Sequence, residues 1–168
     1  MTYECSHCGQ KARRVRGDYR FDESGLPNVI LRNIEIIACR KCGNRDPVLH
    51  RAAKLLRTLA DAVVHKPFRL TGEEFRFLRK RLGLTADHLG RIMHVDKTTI
   101  SKWENNALTI GEQSDLLIRT LALAARAETK GREALLDHFE RIASPLQPNV
   151  ELLISPDREF AYHYAQQS

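Results

Sequence analysis

The chain's four cysteines are Cys5, Cys8, Cys39 and Cys42, two Cys-x-x-Cys pairs with no thiol left over. Paired thiols at this spacing are what a tetrahedral Zn²⁺ site needs, because each pair can turn both sulfurs toward one ion. A glycine follows each pair, Cys8-Gly9 and Cys42-Gly43, and glycine tolerates the positive φ that so tight a turn often requires. Lys11, Arg40 and Lys41 lie beside the cysteines and offset the net charge of about −2 that Zn²⁺ keeps when four thiolates bind it. Four sulfur ligands close the coordination sphere and leave no position for water or substrate, so one structural Zn²⁺ is expected, with no catalytic role. A pair of redox dithiols is the competing reading of the same residues. His7, inside the first loop, is expected to be a bystander and not a ligand.

A second group of polar residues sits on helices. Thr71-Gly72-Glu73-Glu74 is a capping box that opens a helix through Phe75, Leu78 and Leu82, and Gly83 ends it. Thr85 caps the next helix, which turns Leu89 and Ile92 or Met93 inward and carries the small Gly90 where another helix can come close. His94-Val95 forms a turn, Asp96 caps a third helix, and Asn105-Asn106 closes it with residues that tolerate the left-handed conformation. In that third helix Ile100 and Trp103 share a core face, while Lys97, Thr98, Ser101 and Lys102 occupy the opposite arc. A short, polar, basic arc suits the major groove of DNA, where the N-terminal residues of a recognition helix meet base edges. Capped amphipathic helices alone are more often plain core elements; the whole string from Thr85 to Asn106 is what points further.

That string resembles the Xre/Cro family of phage-repressor-like helix-turn-helix domains. Gly90 stands where the family usually has alanine, Asp96 where it has a capping serine, and Asn106 where it has glycine. The resemblance covers about 55 residues and implies a five-helix domain, usually dimeric, that reads a palindromic operator in double-stranded DNA. It implies base or near-base contacts for Lys97, Thr98 and Lys102, and phosphate neighbours for Thr99 and Ser101. Thr85 and Ala86 would meet a phosphate through the N–H groups of their helix start, and Glu104 would orient the helix end.

From Cys5 to about Ala125 the arrangement is similar to the MqsA family of antitoxins, zinc-finger proteins of the YgiT type followed by an Xre domain. The resemblance implies a zinc domain that binds a small ribonuclease toxin and a C-terminal domain that dimerises and represses its own operon. Lys102 stands where that family more usually has arginine. A stand-alone Xre-family regulator with a structural or sensing zinc domain is the alternative.

The elements that must position these residues are legible in outline. Tyr19 to Phe21 and Val29 to Ala38 read as strands of a small antiparallel sheet, separated by the turn-like stretch from Asp22 to Asn28. Apolar residues from Val48 to Val64 fit one face of a connecting helix that packs on one domain or the other and stops at Lys66-Pro67. A helix from Glu112 to Thr129 carries a stripe of Leu116, Leu117, Leu121 and Ala124, and a second helix is expected over Arg132 to Ala143. Val150 to Ile154 suggests a short strand, and Arg158 to Ser168 a helix or loose chain. The expected fold is mainly α with a small β zinc-binding domain: residues 1–46 bind zinc, 47–68 link, 69–127 form the helix-turn-helix bundle, and 128–168 form a C-terminal extension that serves as dimerisation surface or extra core.

Charge separates the same parts. Residues 1–46 carry nine basic and six acidic side chains and residues 111–168 six and nine, so the net charge of +6 resides in the first two-thirds. That bias suits a polyanion-binding front. No apolar run approaches the roughly 20 residues that cross a bilayer, and the first residues lack the pattern of a signal peptide, so a cytoplasmic protein without a membrane partner is expected. Nothing pairs a nucleophile with a base or builds a phosphate-binding loop, so no enzyme activity is expected.

Overall fold

The computed structural model of the chain describes residues 3–125, 150–155 and 161–166. It opens with a four-stranded antiparallel sheet, β1 (Tyr3–Glu4), β2 (Lys11–Arg20), β3 (Ile30–Cys39) and β4 (Arg45–Pro47), in the order β1-β2-β3-β4. Five helices follow: α1 (Ala52–Val64), α2 (Gly72–Arg81), α3 (Ala86–Met93), α4 (Lys97–Glu104) and α5 (Glu112–Ala124). Two further strands, β5 (Val150–Ser155) and β6 (Ala161–Gln166), pair antiparallel with each other. The chain is thus a mixture of β and α where a mainly α fold was expected. The helix expected over Arg132 to Ala143 lies outside the described residues. Residues 161–166 form a strand where helix or loose chain was expected, and the aromatic alternation of Tyr162 and Tyr164 suits that outcome.

The sheet is an arm built on one long hairpin. β2 pairs with β3 from Ala12–Cys39 to Arg20–Ile30, with a register break between Gly17 and Tyr19. Opposite the break Asn33 adopts φ 50° and donates its backbone N–H to Asp18 Oδ1 at 3.0 Å. β2 therefore runs eight residues further toward the N-terminus than the expected strand. The hairpin tip closes with a single 3-10 turn, Asp22–Ser24, and with Gly25 at φ 76°. Leu26 then leaves the arm and inserts, 2% exposed, into the cluster that forms the core of the helices.

The helical core is apolar and continuous. Phe75 and Leu78 of α2, Leu89 of α3, Ile100 of α4 and Ile118 of α5 are all fully buried, and the Phe75 and Trp103 rings meet edge to face at 5.6 Å. α1 joins this core through Val63 and Val64. It starts at Ala52, four residues later than expected, because Val48 is still held by the sheet, donating its N–H to Glu35 O at 2.8 Å.

α5 buries Asp115, Ile118 and Leu121, while Leu116 is 67% exposed. The expected stripe that included Leu116 is corrected by a buried ion pair. Asp115 accepts the Leu70 N–H at 2.8 Å and pairs with Arg119, and Arg119 donates to the carbonyls of Val64, Lys66 and Phe68. One polar pair thereby fastens the whole connection between α1 and α2, and an apolar pattern cannot register it.

Candidate metal centre and nucleic-acid interface

Cys5 and Cys8 sit in the turn between β1 and β2, Cys39 ends β3, and Cys42 lies in the turn before β4. The two turns have the same hydrogen bonds. Gly9 donates to Cys5 O at 2.9 Å and Gly43 to Cys39 O at 3.1 Å; the N–H of Cys5 reaches Gln10 O, and that of Cys39 reaches Asn44 O, both at 2.9 Å. Gly9 and Gly43 both have positive φ, 67° and 76°, as the spacing implied. The paired turns bring all four sulfurs within 4.8 Å of one another. Cys5–Cys42 and Cys8–Cys39 are each 3.6 Å apart, close to the edge of about 3.8 Å for a tetrahedron with metal–sulfur bonds of about 2.3 Å. These four cysteines can hold one metal ion. His7 is exposed and stands outside the cluster.

The protonation of the sulfurs agrees with that fit. The backbone N–H of Cys42, ahead of burial and with help from that of Lys41, brings the Cys39 thiol down to about 6. Burial opposes ionisation of Cys5, yet the N–H groups of Cys8 and His7 hold it below the usual thiol value. The Asn44 N–H favours the Cys42 thiolate, but burial and the three neighbouring sulfurs outweigh it and push the thiol up to about 12. Four sulfurs this close cannot all be anionic without a cation among them.

A polar clasp that spacing did not reveal ties the two turns together. Ser6 Oγ donates to Asp46 at 2.6 Å, and Asn44 Nδ2 donates to both oxygens of Asp46 at 3.0 Å. Ser6 belongs to the first turn and Asn44 to the second, so Asp46 fixes their separation.

On the helices, Thr71 forms the expected capping box with Glu74, and Thr85 Oγ1 accepts the His88 N–H at 3.1 Å. Asp96 occupies the N-cap of α4 with extended backbone, but its side chain makes no cap hydrogen bond, which corrects the expected cap. His94 makes the α3–α4 turn in the left-handed region, φ 53°. A Cβ at Gly90 would stand 2.7 Å from Val95 O, so the turn folds back onto α3 as closely as an absent side chain allows.

Ile100 and Trp103 anchor α4, 0% and 6% exposed. Lys97, Thr98, Ser101 and Lys102 are exposed and Thr99 is half-buried; Thr85 is exposed and Ala86 half-buried at the start of α3. The structure thus places the residues read as DNA contacts on α4 and the adjoining start of α3, with the polar arc open.

The far end of α4 is held by charge. Glu104, 6% exposed, pairs with Arg79 and Arg76 of α2. Arg79 also donates to Leu84 O at 2.7 Å, and Arg76 to Glu104 O and Asn105 Oδ1 at 3.0 and 2.6 Å. Asn106, left-handed at φ 56°, accepts the Gly72 N–H at 2.8 Å and donates to Glu73 at 2.8 Å. Its amide bridges two helices, a role that a glycine there could not fill.

Among the described residues no helix is long and apolar enough to cross a membrane. Comparison with known proteins finds no matching family model, no matching curated relative and no matching solved structure.

Proposed function

We propose that this chain is a sequence-specific DNA-binding repressor that reads duplex DNA with α4 and is completed by one structural Zn²⁺ held by Cys5, Cys8, Cys39 and Cys42. The observation that carries the reading is the division of α4. Its apolar face is locked by Ile100 and Trp103 and its end by Glu104, while Lys97, Thr98, Ser101 and Lys102 stand free of the core. A rigid helix with an open polar arc and a short turn before it can enter a major groove about 12 Å wide and present donors to base edges. The start of α3 at Thr85 and Ala86 would steer a phosphate against backbone N–H groups. The protein would act as a homodimer on a palindromic operator in the cytoplasm, with no enzymatic step. Zinc suits the metal site because a closed all-thiolate tetrahedron is its usual structural setting.

Selection of duplexes from a random-sequence pool by the full chain tests this reading. An enriched inverted repeat with half-sites about 10 base pairs apart is expected, and no enrichment would refute the proposal. Within an enriched site Lys102→Ala should cost about 1 to 3 kcal/mol at one base position if Lys102 reads a guanine, and equally on all sequences if it meets a phosphate.

One observation favours a companion role as an antitoxin. β1 covers β2 only at Lys11 and Ala12, so among the described residues no strand pairs with the remaining outer edge of β2, and a strand from another protein would fit there. Co-purification of a small ribonuclease toxin with the full chain would support that role. Its absence would leave a stand-alone regulator.

A further inference from the structure

The arginines of the arm fall into two sets. Arg14 and Arg16 pair with Glu35, Arg20 with Asp22, and Arg32 with Asp18. Arg13, Arg40 and Arg45 have no acidic partner among the described residues, nor do Lys11 and Lys41, and all five are exposed. Their placement follows from the register: Arg13 of β2 and Arg45 of β4 both stand opposite Ala38 of β3, one on either side. Directly opposed residues share a sheet face. The two arginines therefore leave the sheet on one face from either side of a small residue, with their backbones about 10 Å apart, and the Arg45 guanidinium reaches along the face to within 3.8 Å of where a Cβ on Gly17 would stand. Lys11 lies on the same face, two residues along β2, and Arg40 and Lys41 cap the second cysteine turn. Of the arm's acids Glu4, opposite Lys11, and Asp46, held by Ser6 and Asn44, share this end with them. Five cations outnumber these two carboxylates and the charge of about −2 on a tetrathiolate zinc centre together, so a surplus of about one positive charge remains.

We infer that this face is a second phosphate-binding surface, which grips the backbone of duplex DNA flanking the site read by α4. The inference rests on the proposed DNA-binding function and extends it to the zinc arm. From the docked hairpin tip to the cysteine turns the ten residues of β2 (Lys11–Arg20) span about 30 Å, comparable to the roughly 34 Å of one duplex turn. The arm is long enough to reach beyond the half-site. Duplex DNA, with one charge per ~1.7 Å of axis, is the partner whose charge density matches unpaired arginines spaced in this way, and such contacts would raise affinity without reading sequence.

The test compares the full chain with an Arg13→Gln, Arg45→Gln double variant on the selected duplex, as a long form with flanks of about one turn and as a form trimmed to the half-sites. Zinc content is measured on each protein. On the long duplex the variant should show a plot of log affinity against log salt shallower by about 3.6, since each lost phosphate contact removes about 0.9 and the two arms of a dimer lose four. On the trimmed duplex the two proteins should behave alike, and an Arg13→Lys, Arg45→Lys variant should keep the full slope on the long form. An unchanged slope in the glutamine variant with its metal in place would overturn the inference, as would an unchanged slope accompanied by loss of a co-purifying protein, which would assign the face to a protein partner. If the double variant loses zinc, Arg45→Gln alone decides, with a change of about 1.8 expected for the two arms of a dimer. Failure of the unaltered chain to select or bind any duplex would sink the function proposal itself, which is a different result.

Discussion

The arm and the helical bundle solve the same problem with different means. Among the described residues the core of the bundle gathers sixteen buried apolar side chains in one cluster, fifteen of its own and Leu26 from the arm, whereas the cluster at the cysteine end of the arm has three, Cys5, Ala12 and Cys39. At about 25 cal/mol per Å² of apolar surface, so small a cluster cannot offset the backbone entropy of an arm of more than forty residues, about 1 to 2 kcal/mol for each. The bundle carries its own stability; the arm needs a cross-link at its far end. The proposed four-thiolate ion would supply one where β1, β3 and β4 would otherwise fray.

The largest expected effect breaks the comparison open. Chelation of the metal, or Cys39→Ser, should abolish amide-exchange protection over β1 to β4 while α2, α3 and α4 stay protected. A single cooperative loss of both regions would show that the bundle is no more independent than the arm. Next in size, Glu104→Ala leaves Arg79 buried without its partner and should destabilise the bundle by about 3 to 5 kcal/mol, read as a lowered denaturation midpoint with zinc retained. Leu26→Ala should cost about 2 to 4 kcal/mol, and should appear in the unfolding of the bundle although the residue belongs to the arm; a loss confined to the sheet would contradict the docking.

The smallest effect is a pH dependence at Glu73. Its own backbone N–H and the Thr71 hydroxyl, with Asn106 beyond them, hold its carboxyl below the usual value. A depressed carboxylate stabilises above its unfolded pKa of about 4.3, and that contribution disappears as pH falls through the folded value. Glu73→Gln should therefore lower stability slightly at pH 7 and flatten the acid limb of the curve, with the two proteins converging below the folded pKa.

The two regions also differ in how openly the sequence declares them. The cysteine turns are legible because a metal dictates residue type and spacing together, and the helix starts because Thr71 and Thr85 sit at fixed offsets from Glu74 and His88. β2 is hard to see: Lys11-Ala12-Arg13-Arg14-Val15-Arg16 alternates no apolar face, since Ala12 is the only residue of this stretch that is buried and the alternation rule presumes a run of apolar residues on one face. The inward face of α5 is obscured by Asp115 and Arg119, a buried pair that resembles surface charge in sequence. Leu26 looks like one apolar residue in a turn, and only the folded chain shows what it fills. The polar arc of α4 was readable from its period, whereas the Asp46 clasp depends on three residues that the sheet alone brings together.

Leu26 also has a consequence for the order in which the chain comes apart. The bundle that seats it holds the tip of the hairpin without help from the cysteines. If an ion completes the arm as proposed, its removal should loosen the cysteine end first and leave the tip docked, so limited proteolysis of the metal-free chain should cut near the cysteine turns and spare the helices.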